Sequence, residues 1–384
     1  MPEPAGGLDG VPVTIIGHPF AAIGMGEQMR SHIAACLAVH VRPGVFDVFR
    51  YAQRTDPAHH ALIDLLECHD VPGGIRIFHI NGDEIDNVLS VFEARGNVFA
   101  DGRNIIVPAW ELPAYPKAWA KKLRRFDEVW ALSAFVQRGL AAAGIASHLV
   151  GQSIELPSGP CKPRRHFGLR ESAFVLLNFF DLSSYASRKN PEAVLHLMRR
   201  IRAEHPFLDV ELALKVKNGE RAAEDWAASL EPDQGMTVIS APLDTAGIRG
   251  LMTACDCFVS LHRAEGFGRG LGEAMRLGRL ALGTGWSGNL DFMTPGNSLL
   301  VRADQVALKR EEYPHWHGQS WAEPDVDHAY ELLRPVLLDR ALGREIASRG
   351  QADVFRTHGN RAVGLRMLDR MQAIMPISTR AASP

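Results

Sequence analysis

Alternation between short apolar runs and helix-like segments is the feature of this sequence that most constrains its fold. In the first half, a segment of helical composition follows each of five apolar runs: VTIIG, VFDVF, IRIFHI, NIIVPAW and EVWAL. Strands that are joined through helices lie parallel in one sheet, with the helices packed on its faces. From Val13 onward, the first half therefore predicts a doubly wound α/β unit.

A polar, proline-punctuated stretch, residues 151–170, interrupts this alternation and predicts a linker. A second alternating unit follows, with strands predicted at 174–180, 210–216, 237–240 and 257–261. We therefore predict two doubly wound, Rossmann-like domains, with ligands bound in the cleft at the carboxyl ends of their strands. The predicted boundaries are 11–155 for the first domain, 156–360 for the second, and 361–376 for a final helix.

Composition limits the class of protein. The 384 residues are 46% hydrophobic and 22% charged, which is typical of a globular chain long enough for two cores. A net charge of −2 gives no positive electrostatic field that would attract nucleic acid, so any anion site has to be formed by local cations. Five cysteines without a paired spacing favour reduced thiols in a cytoplasmic protein. The sequence shows neither the pattern of a secretory leader nor an apolar run of membrane-spanning length.

The segment 260–301 combines two glutamates with a glycine-rich loop. Glu265 follows an apolar strand-like run, and Glu273 is expected in the first turn of a helix. Between them, the glycines within residues 266–270 let backbone N–H groups approach a ligand closely. Carboxylates in these positions can accept hydrogen bonds from sugar hydroxyls and from a ribose diol. The alternative is that Glu273 only favours the helix N-terminus and that Glu265 is incidental.

The motifs HRAEGFG, GLGEAM and GWSGNLDF occur in this order in the same segment. On these motifs the chain resembles glycosyltransferase family 4, whose retaining members use nucleotide sugars and carry an E-x7-E pair beside the donor site. The resemblance implies the GT-B fold, in which two Rossmann-like domains face each other and the last helix returns to the first domain. It also implies a donor site that includes Glu265, Gly266, Phe267, Gly268 and Glu273.

Two places after the first strands of the second domain hold cations that suit a diphosphate. Arg188 and Lys189 precede Pro191, so both lie near the N-terminus of a predicted helix. Lys215 lies inside the apolar run LALKV, where a buried ammonium group needs a compensating anion. The resemblance implies that these three cations contact the donor phosphates. Two alternatives remain open: a merely solvated Arg188–Lys189 pair, and Lys217 in place of Lys215.

Further polar residues extend the predicted donor site. His262 lies at the end of the apolar run and can either reach the sugar or brace the loop. Ser287, Gly288 and Asn289 form a turn of small residues that, by the resemblance, lies over the pyrophosphate or the base. Asp291 suits an N-cap equally well.

The first domain supplies the other wall of the predicted cleft. Gly24 and Gly26 lie in the loop after the first strand, but a dinucleotide fingerprint needs a third glycine where Met29 stands. The resemblance places this loop beside the donor phosphate or the acceptor. Polar side chains that follow the third and fourth strands complete the predicted wall: His79, Asn81, Asp83, Trp110 and Glu111. Relatives often carry a His-Asp pair at the last two positions, which leaves open which group takes the acceptor proton.

Three short motifs favour structural roles. Ser133 precedes a helix-like segment and predicts an N-cap. Asp325 and Asp327 match a D-x-D pattern, but they stand at a predicted helix start, where capping is expected. Cys255 and Cys257 have no histidine nearby in the sequence, so we do not expect zinc. We predict no obligatory metal and no cofactor, with a nucleotide sugar as co-substrate.

The segment 115–126, YPKAWAKKLRRF, predicts an amphipathic helix. Trp119, Leu123 and Phe126 share one face, and basic residues lie largely elsewhere. One interpretation is an ordinary surface helix whose apolar face packs on the sheet. The other is a peripheral contact with anionic lipid at the inner face of the membrane, which would suit a lipid-linked sugar acceptor.

Together with the resemblance, these residues predict a glycosyltransferase. The resemblance implies metal-independent, retaining transfer of a hexosyl or similar unit to a hydroxyl group of a glycan or glycolipid, in surface polysaccharide assembly. We expect Glu265, Lys215 and Arg188 to be its catalytic residues. The alternatives are a nucleotide-sugar epimerase of the same fold and a catalytically degenerate binding subunit.

Overall fold

The computed structural model describes residues 8, 10–21, 23–50, 57–156, 159, 161–181, 185–217 and 235–375. Its first domain is built on a six-stranded parallel sheet with the strand order β2-β1-β3-β4-β5-β6. The strands are β1 Val13–Gly17, β2 Gly44–Asp47, β3 Ile75–Phe78, β4 Arg103–Ile106, β5 Glu128–Ala131 and β6 His148–Leu149. The helices are α1 Gly24–Leu37, α2 Pro57–Asp64, α3 Ile85–Ala94, α4 Lys117–Leu123 and α5 Ala134–Ala142.

The second domain is built on another six-stranded parallel sheet, with the order β12-β11-β10-β7-β8-β9. Its strands are β7 Phe174–Asp181, β8 Val210–Lys217, β9 Met236–Ile239, β10 Cys257–Ser260, β11 Leu280–Thr284 and β12 Leu299–Val301. Its first helices are α6 Ala186–Lys189, α7 Pro191–Glu204, α8 Thr245–Ala254 and α9 Arg269–Arg276. The strand order reverses between β7 and β10, which is the switch point where such sheets bind ligands.

Burial of both sheet faces explains why the strands are nearly continuous apolar runs. All residues of β1 and of β11 are buried. In the second domain, Leu212 and Leu214 of β8 lie in one core with Leu197 and Ile201 of α7. Each sheet therefore has its own core, as the composition predicts.

Three helices form the last described part of the chain: α10 Val326–Leu338, α11 Arg340–His358 and α12 Asn360–Ile374. Val363, Met367 and Met371 of α12 lie in the core of the first domain, together with Met29 and Ile33 of α1. The final helix therefore returns to the first domain, and this part of the fold prediction is confirmed.

An antiparallel hairpin that the sequence patterns did not predict follows β12. Its strands are β13 Ala303–Ala307 and β14 Ser320–Pro324, and we call residues 303–324 the hairpin arm. The arm extends from the second domain, because β12 is the last strand of the second sheet.

The hairpin arm packs against the first domain. Leu308, Tyr313 and Trp321 lie in the core of that domain. The side chain of Gln319 also binds both backbone groups of Ala114, accepting from its N at 3.1 Å and donating to its O at 2.6 Å. The arm therefore joins the two domains.

The predicted amphipathic segment 115–126 contains α4. Leu123 and Phe126 are buried in the core of the first domain, and the Trp119 ring contacts the rings of Trp110 and His315. The apolar face of this segment therefore packs on the protein. Within the described ranges, no helix is both long enough and apolar enough to cross a membrane.

Candidate functional site

The switch point of the second sheet brings two polar loops together. One loop follows β7 and carries Arg188 and Lys189, and the other follows β10 and carries Glu265. A backbone hydrogen bond of 2.8 Å from Arg263 N to Arg188 O joins them. Lys189 and Glu265, which are 76 positions apart in the chain, thus become neighbours because β7 and β10 are adjacent strands.

Glu265 is clasped by both cations. Its Oε1 accepts a hydrogen bond from Lys189 Nζ, and its Oε2 lies 3.3 Å from Nη1 of the Arg188 guanidinium. The Glu265 side chain is only 12% exposed. Burial by itself raises the pKa of Glu265, but the charges of Lys189 and Arg188 outweigh burial and lower that pKa to about 2. Glu265 is therefore an ionised carboxylate in a nearly dry site.

Arg188 is almost completely buried and keeps an unused donor. Its Nη1 donates to Ala264 O at 2.9 Å, while Nε has no hydrogen-bond partner within the described part of the chain. A buried guanidinium donor without a partner costs free energy unless a ligand accepts from it. The alternative of a merely solvated Arg188 therefore does not hold in this structure, because the side chain is buried.

Glu273 lies in a second, separate ion pair. It is the fifth residue of α9, one turn further into the helix than predicted, because α9 begins at Arg269. Arg269 Nε lies 2.6 Å from Glu273 Oε1, and Arg269 Nη2 lies 3.9 Å from Glu27 Oε2 of α1. Burial raises the pKa of Glu273. The two predicted acids thus face different partners, and Arg269 lies between the two domains.

Lys215 is buried near the carboxyl edge of the second sheet. It pairs in register with Phe179 of β7, and its Nζ donates to Val216 O at 2.9 Å. Burial lowers the pKa of Lys215, and the charge of Lys217 lowers it further. No carboxylate of the described residues pairs with Lys215, which leaves its charge available to an anion.

The glycine loop and the turn at 287–289 are in backbone contact. Gly288 N donates to Glu265 O at 3.0 Å, and Glu265 N donates to Ser287 Oγ at 3.0 Å. A Cβ atom on Gly288 would lie 2.1 Å from Gly266 O, and Gly268 has a φ of +85°. These glycines therefore let the two loops approach each other and hold Glu265 in place.

His262 and Asn289 are buried beneath the glycine loop and the turn at 287–289, and they support both. His262 is fully buried, and its Nε2 lies 3.2 Å from Asn289 Oδ1, while Asn289 Nδ2 donates to Thr284 O at 2.9 Å. Burial lowers the pKa of His262. Phe267 is also buried, in a core with Phe292. The structure thus places His262 in the bracing arrangement, which is one of its two predicted roles.

The first-domain wall begins at the N-terminus of α1. Gly24 starts the helix, and its N-cap residue Ile23 offers no side-chain acceptor. A Cβ atom on Gly26 would lie 2.2 Å from Ala21 O, so the tight turn before α1 requires glycine there. Since α1 also carries Glu27, which faces Arg269, this N-terminus lies beside the loop that begins α9.

The predicted residues after β3 have different surroundings. His79 is fully buried against His32, and neither of its ring nitrogens finds a hydrogen-bond partner among the described residues. Burial lowers the pKa of His79 well below its usual value. Asn81 Oδ1 accepts from Ala109 N at 3.2 Å, and Asp83 is exposed. Of these three, His79 lies too deep to contact a ligand in this arrangement.

Sequence reasoning missed a His–Glu pair at the switch point of the first sheet. His18 follows β1 directly, and its Nε2 lies 3.0 Å from Glu84 Oε1. Glu84 Oε2 accepts from Asn81 N at 2.8 Å. The order of the first sheet reverses between β1 and β3, so a histidine immediately after β1 was the available signal.

Trp110 and Glu111 both contact Tyr313 of the hairpin arm. The Trp110 ring is buried, and its Nε1 donates to Ala114 O at 2.8 Å. Glu111 is half-buried, and its Oε2 accepts from Tyr313 of the hairpin arm at 2.7 Å. A Cβ atom on Gly266 would lie 2.9 Å from Trp110 O, so this loop touches the glycine loop of the second domain.

Two caps join the domains on the other side of the glycine loop. Ser133 Oγ accepts from Val136 N at 3.2 Å, which confirms the predicted N-cap, and it also donates to Gly266 O at 2.5 Å. Asp291 Oδ2 accepts from Ala134 N at 2.8 Å. Asp291 therefore caps α5, a helix of the first domain, from the second domain.

We expect Asp291→Ala to lower the free energy of unfolding by about 1 kcal/mol, because Ala134 N loses its acceptor at the start of α5. Guanidinium chloride unfolding at neutral pH measures this difference. Asp369→Ala is the matched control, since Asp369 is exposed on α12, and it should change the value by less than about 0.5 kcal/mol. Equal losses in the two variants would contradict the capping role.

The motifs given structural roles occupy the expected places. Asp325 Oδ1 accepts from His328 N at 2.9 Å, so it caps α10 as predicted. The thiols of Cys255 and Cys257 are buried, and burial raises the pKa of both. In the described residues, no three or more His, Cys, Asp or Glu side chains are grouped to hold a metal ion.

Two facing parallel sheets and a last helix that returns to the first domain define the GT-B architecture. No protein-family model and no curated protein matches the sequence. Among solved structures, HepE from Anabaena, in complex with UDP and glucose, is similar with a TM-score of 0.68 at 14% identity. The similarity covers 95% of this chain and 100% of HepE.

Two further solved structures share this architecture. Sucrose-phosphate synthase from Thermosynechococcus elongatus gives a TM-score of 0.62 at 15% identity, over 94% of this chain and 98% of its own. The α,α-trehalose 6-phosphate synthase from Burkholderia multivorans gives a TM-score of 0.62 at 9% identity, over 95% and 99%. At these identities the similarity establishes the fold, and the predicted α/β class of GT-B type is confirmed.

Proposed function

We propose that this protein is a glycosyltransferase that moves a sugar from a nucleoside diphosphate sugar to a hydroxyl group of a glycan or glycolipid. One observation carries the proposal: at the switch point of the second sheet, Arg188 and Lys189 clasp the nearly buried carboxylate of Glu265. Cleavage of a sugar–phosphate bond places negative charge on the departing diphosphate, and preorganised cations stabilise that charge. A carboxylate next to them accepts hydrogen bonds from sugar hydroxyls.

We assign residues of the site to each part of the nucleotide sugar. Arg188, Lys189 and Lys215 bind the diphosphate, and the unused Nε of Arg188 supports that role. Glu265 binds the sugar. Glu273 binds the ribose diol through Oε2, since its Oε1 engages Arg269. The turn of Ser287, Gly288 and Asn289 covers the nucleotide.

UDP is the first candidate for the nucleotide. HepE, which has a similar fold, was crystallised with UDP and with UDP-glucose. In this proposal, the N-terminus of α1 at Gly24 and Gly26 lies on the acceptor side of the cleft, together with Asn81, Asp83 and Glu111. Closure of the two domains would exclude water from the cleft while the sugar is transferred.

The finer assignments rest on the motif resemblance. They are retention of the anomeric configuration, transfer without an obligatory metal, and a place in surface polysaccharide assembly at the cytoplasmic face of the membrane. A peripheral contact through 115–126 would use the exposed cations Lys117 and Lys121, because the apolar face of this segment packs on the protein. We also propose the domain boundaries 11–155, 156–360 and 361–376.

Calorimetric titration with UDP, GDP, ADP and TDP tests the proposal. We expect one of the four, with UDP first, to bind with a Kd of about 0.1 mM or tighter, and at least about tenfold more tightly than the others. A nucleoside monophosphate of the same base is the control, and it should bind more weakly because it offers less charge to the cations. Binding of none of the four diphosphates would contradict the proposal.

A further inference from the structure

The hairpin arm places a tyrosine against a carboxylate of the other domain. Tyr313 OH donates to Glu111 Oε2 at 2.7 Å, although 202 residues separate them in the chain. Tyr313 is only 8% exposed, and its ring contacts the rings of Trp110 and Tyr185. Because the ring is held on two sides, the hydrogen bond fixes the direction of the Glu111 carboxylate.

The second carboxylate oxygen of Glu111 is unused. No residue in the described part of the chain hydrogen-bonds to Oε1, and Glu111 is only half-buried, so this oxygen can accept a hydrogen bond from a ligand. Glu111 also borders the donor loop, since its Cγ lies 3.9 Å from the position of a Cβ atom on Gly266. The free oxygen therefore lies on the first-domain wall, next to the loop that carries Glu265.

The same pair is connected to the cation site. The Arg188 guanidinium lies 6.0 Å from the centre of the Tyr313 ring, and Arg188 contacts Glu265 at 3.3 Å. Burial lowers the pKa of Arg188, but the charges of Glu265 and Glu111 act in the opposite direction and raise it. Glu265, Arg188, Tyr313 and Glu111 thus form one continuous group that crosses the cleft.

We propose that the Oε1 atom of Glu111 binds the hydroxyl group of the acceptor, and that Tyr313 is the positioning residue that orients this carboxylate. An ionised carboxylate only accepts hydrogen bonds, and a hydroxyl group is a matching donor. The acceptor hydroxyl has to reach the donor sugar within the cleft, and Glu111 lies on the first-domain wall of that cleft, beside the glycine loop. This inference rests on the proposed function, and it adds a residue of the hairpin arm that no sequence motif indicated.

The test measures nucleotide affinity and turnover separately. The variants Glu111→Gln and Tyr313→Phe keep the size of each side chain and remove the carboxylate charge or the phenolic hydroxyl. The probe is UDP-glucose, or the glucose nucleotide of whichever base titration selects, with water as the acceptor. We expect both variants to hydrolyse the sugar nucleotide about tenfold more slowly than wild type. Their Kd for the nucleoside diphosphate should change by less than about twofold.

Tyr330→Phe is the matched control, because Tyr330 is a buried tyrosine whose hydroxyl bonds to His205 in the second domain. It should leave the rate unchanged. Comparison of the rate with the Kd separates positioning from packing, because a packing defect would weaken diphosphate binding together with the rate.

Three results would overturn the inference. They are unchanged rates in Glu111→Gln and Tyr313→Phe, a loss of diphosphate affinity that matches the loss of rate, and a wild-type protein that binds the diphosphate but never hydrolyses its sugar nucleotide. Failure of the proposed function itself would look different, because the wild-type protein would then bind no nucleoside diphosphate.

Discussion

Glu265→Gln should lower the free energy of unfolding by about 3 kcal/mol at pH 7 and reduce turnover at least a hundredfold. The stability effect arises because Arg188 stays buried after its carboxylate partner is removed, and breaking a buried ion pair is strongly destabilising. The effect on turnover arises because Glu265 orients both cations as well as the sugar. Guanidinium chloride unfolding and nucleotide release measure the two effects.

The stability difference between wild type and Glu265→Gln should depend on pH in a defined direction. The pKa of Glu265 is about 2 in the folded protein and 4.5 as the reference value. A carboxyl whose pKa is lowered by folding stabilises the protein above the unfolded pKa, and this contribution disappears as the pH falls towards the folded pKa. The difference should therefore be full at pH 6 and become smaller between about pH 4.5 and pH 2.

Glu345→Gln provides the control for this experiment. Glu345 forms an exposed pair with Arg349 on α11, and its side chain is 69% exposed. Its replacement should change the free energy of unfolding by less than about 0.5 kcal/mol at every pH. The account of the Glu265 ion pairs would be contradicted if wild type and Glu265→Gln differed little in free energy of unfolding at pH 7. It would also be contradicted if that difference stayed constant down to pH 3.

Gly288→Ala should destabilise the protein by about 3 kcal/mol and remove nucleotide binding. The added Cβ would lie 2.1 Å from Gly266 O and 2.5 Å from Gly266 C, and both are backbone atoms that cannot move aside by changing rotamer. The turn at 287–289 would have to shift, which breaks the hydrogen bond from Gly288 N to Glu265 O. Unfolding by guanidinium chloride and titration with UDP measure the two losses.

Gly296→Ala is the matched control for that variant. The nearest atom to its added Cβ is Thr294 Oγ1 at 3.8 Å, which is an ordinary contact. It should leave both the stability and the affinity close to wild type. If Gly288→Ala were as stable as Gly296→Ala, the close approach of the two loops would not exist in solution.

Local patterns sufficed to predict most strands of both sheets and the two polar loops that follow β7 and β10. Parallel strands buried on both faces are apolar throughout, so runs such as VTIIG indicate them directly. Strand adjacency then brings the ends of β7 and β10 together, and with them Arg188, Lys189 and Glu265. The strands predicted at 174–180, 210–216 and 237–240 differ from the structure by one residue at one or both ends. Glu273 lies one turn further into its helix than predicted, because helix starts depend on caps such as Gly268.

Contacts between distant segments could not be predicted in the same way. The hairpin arm has short, partly exposed strands, which give a weak apolar pattern in the sequence. Its Tyr313 and Trp321 pack into the core of the first domain. The cap of α5 by Asp291 and the His18–Glu84 pair likewise join residues far apart in the chain. The Asp291 contact follows from how the two domains meet, and the His18–Glu84 contact follows from how loops within the first domain meet. The spacing of residues along the sequence does not specify either contact.

Titration of UDP into the wild type and into Lys189→Gln tests the central claim most directly. The claim is that a diphosphate binds to the cations that clasp Glu265. We predict that Lys189→Gln weakens UDP binding about tenfold, which corresponds to the loss of one charged hydrogen bond. Lys121→Gln, which removes an exposed cation of α4, should leave the Kd within about twofold. Equal UDP affinity in the wild type and in Lys189→Gln would contradict the account.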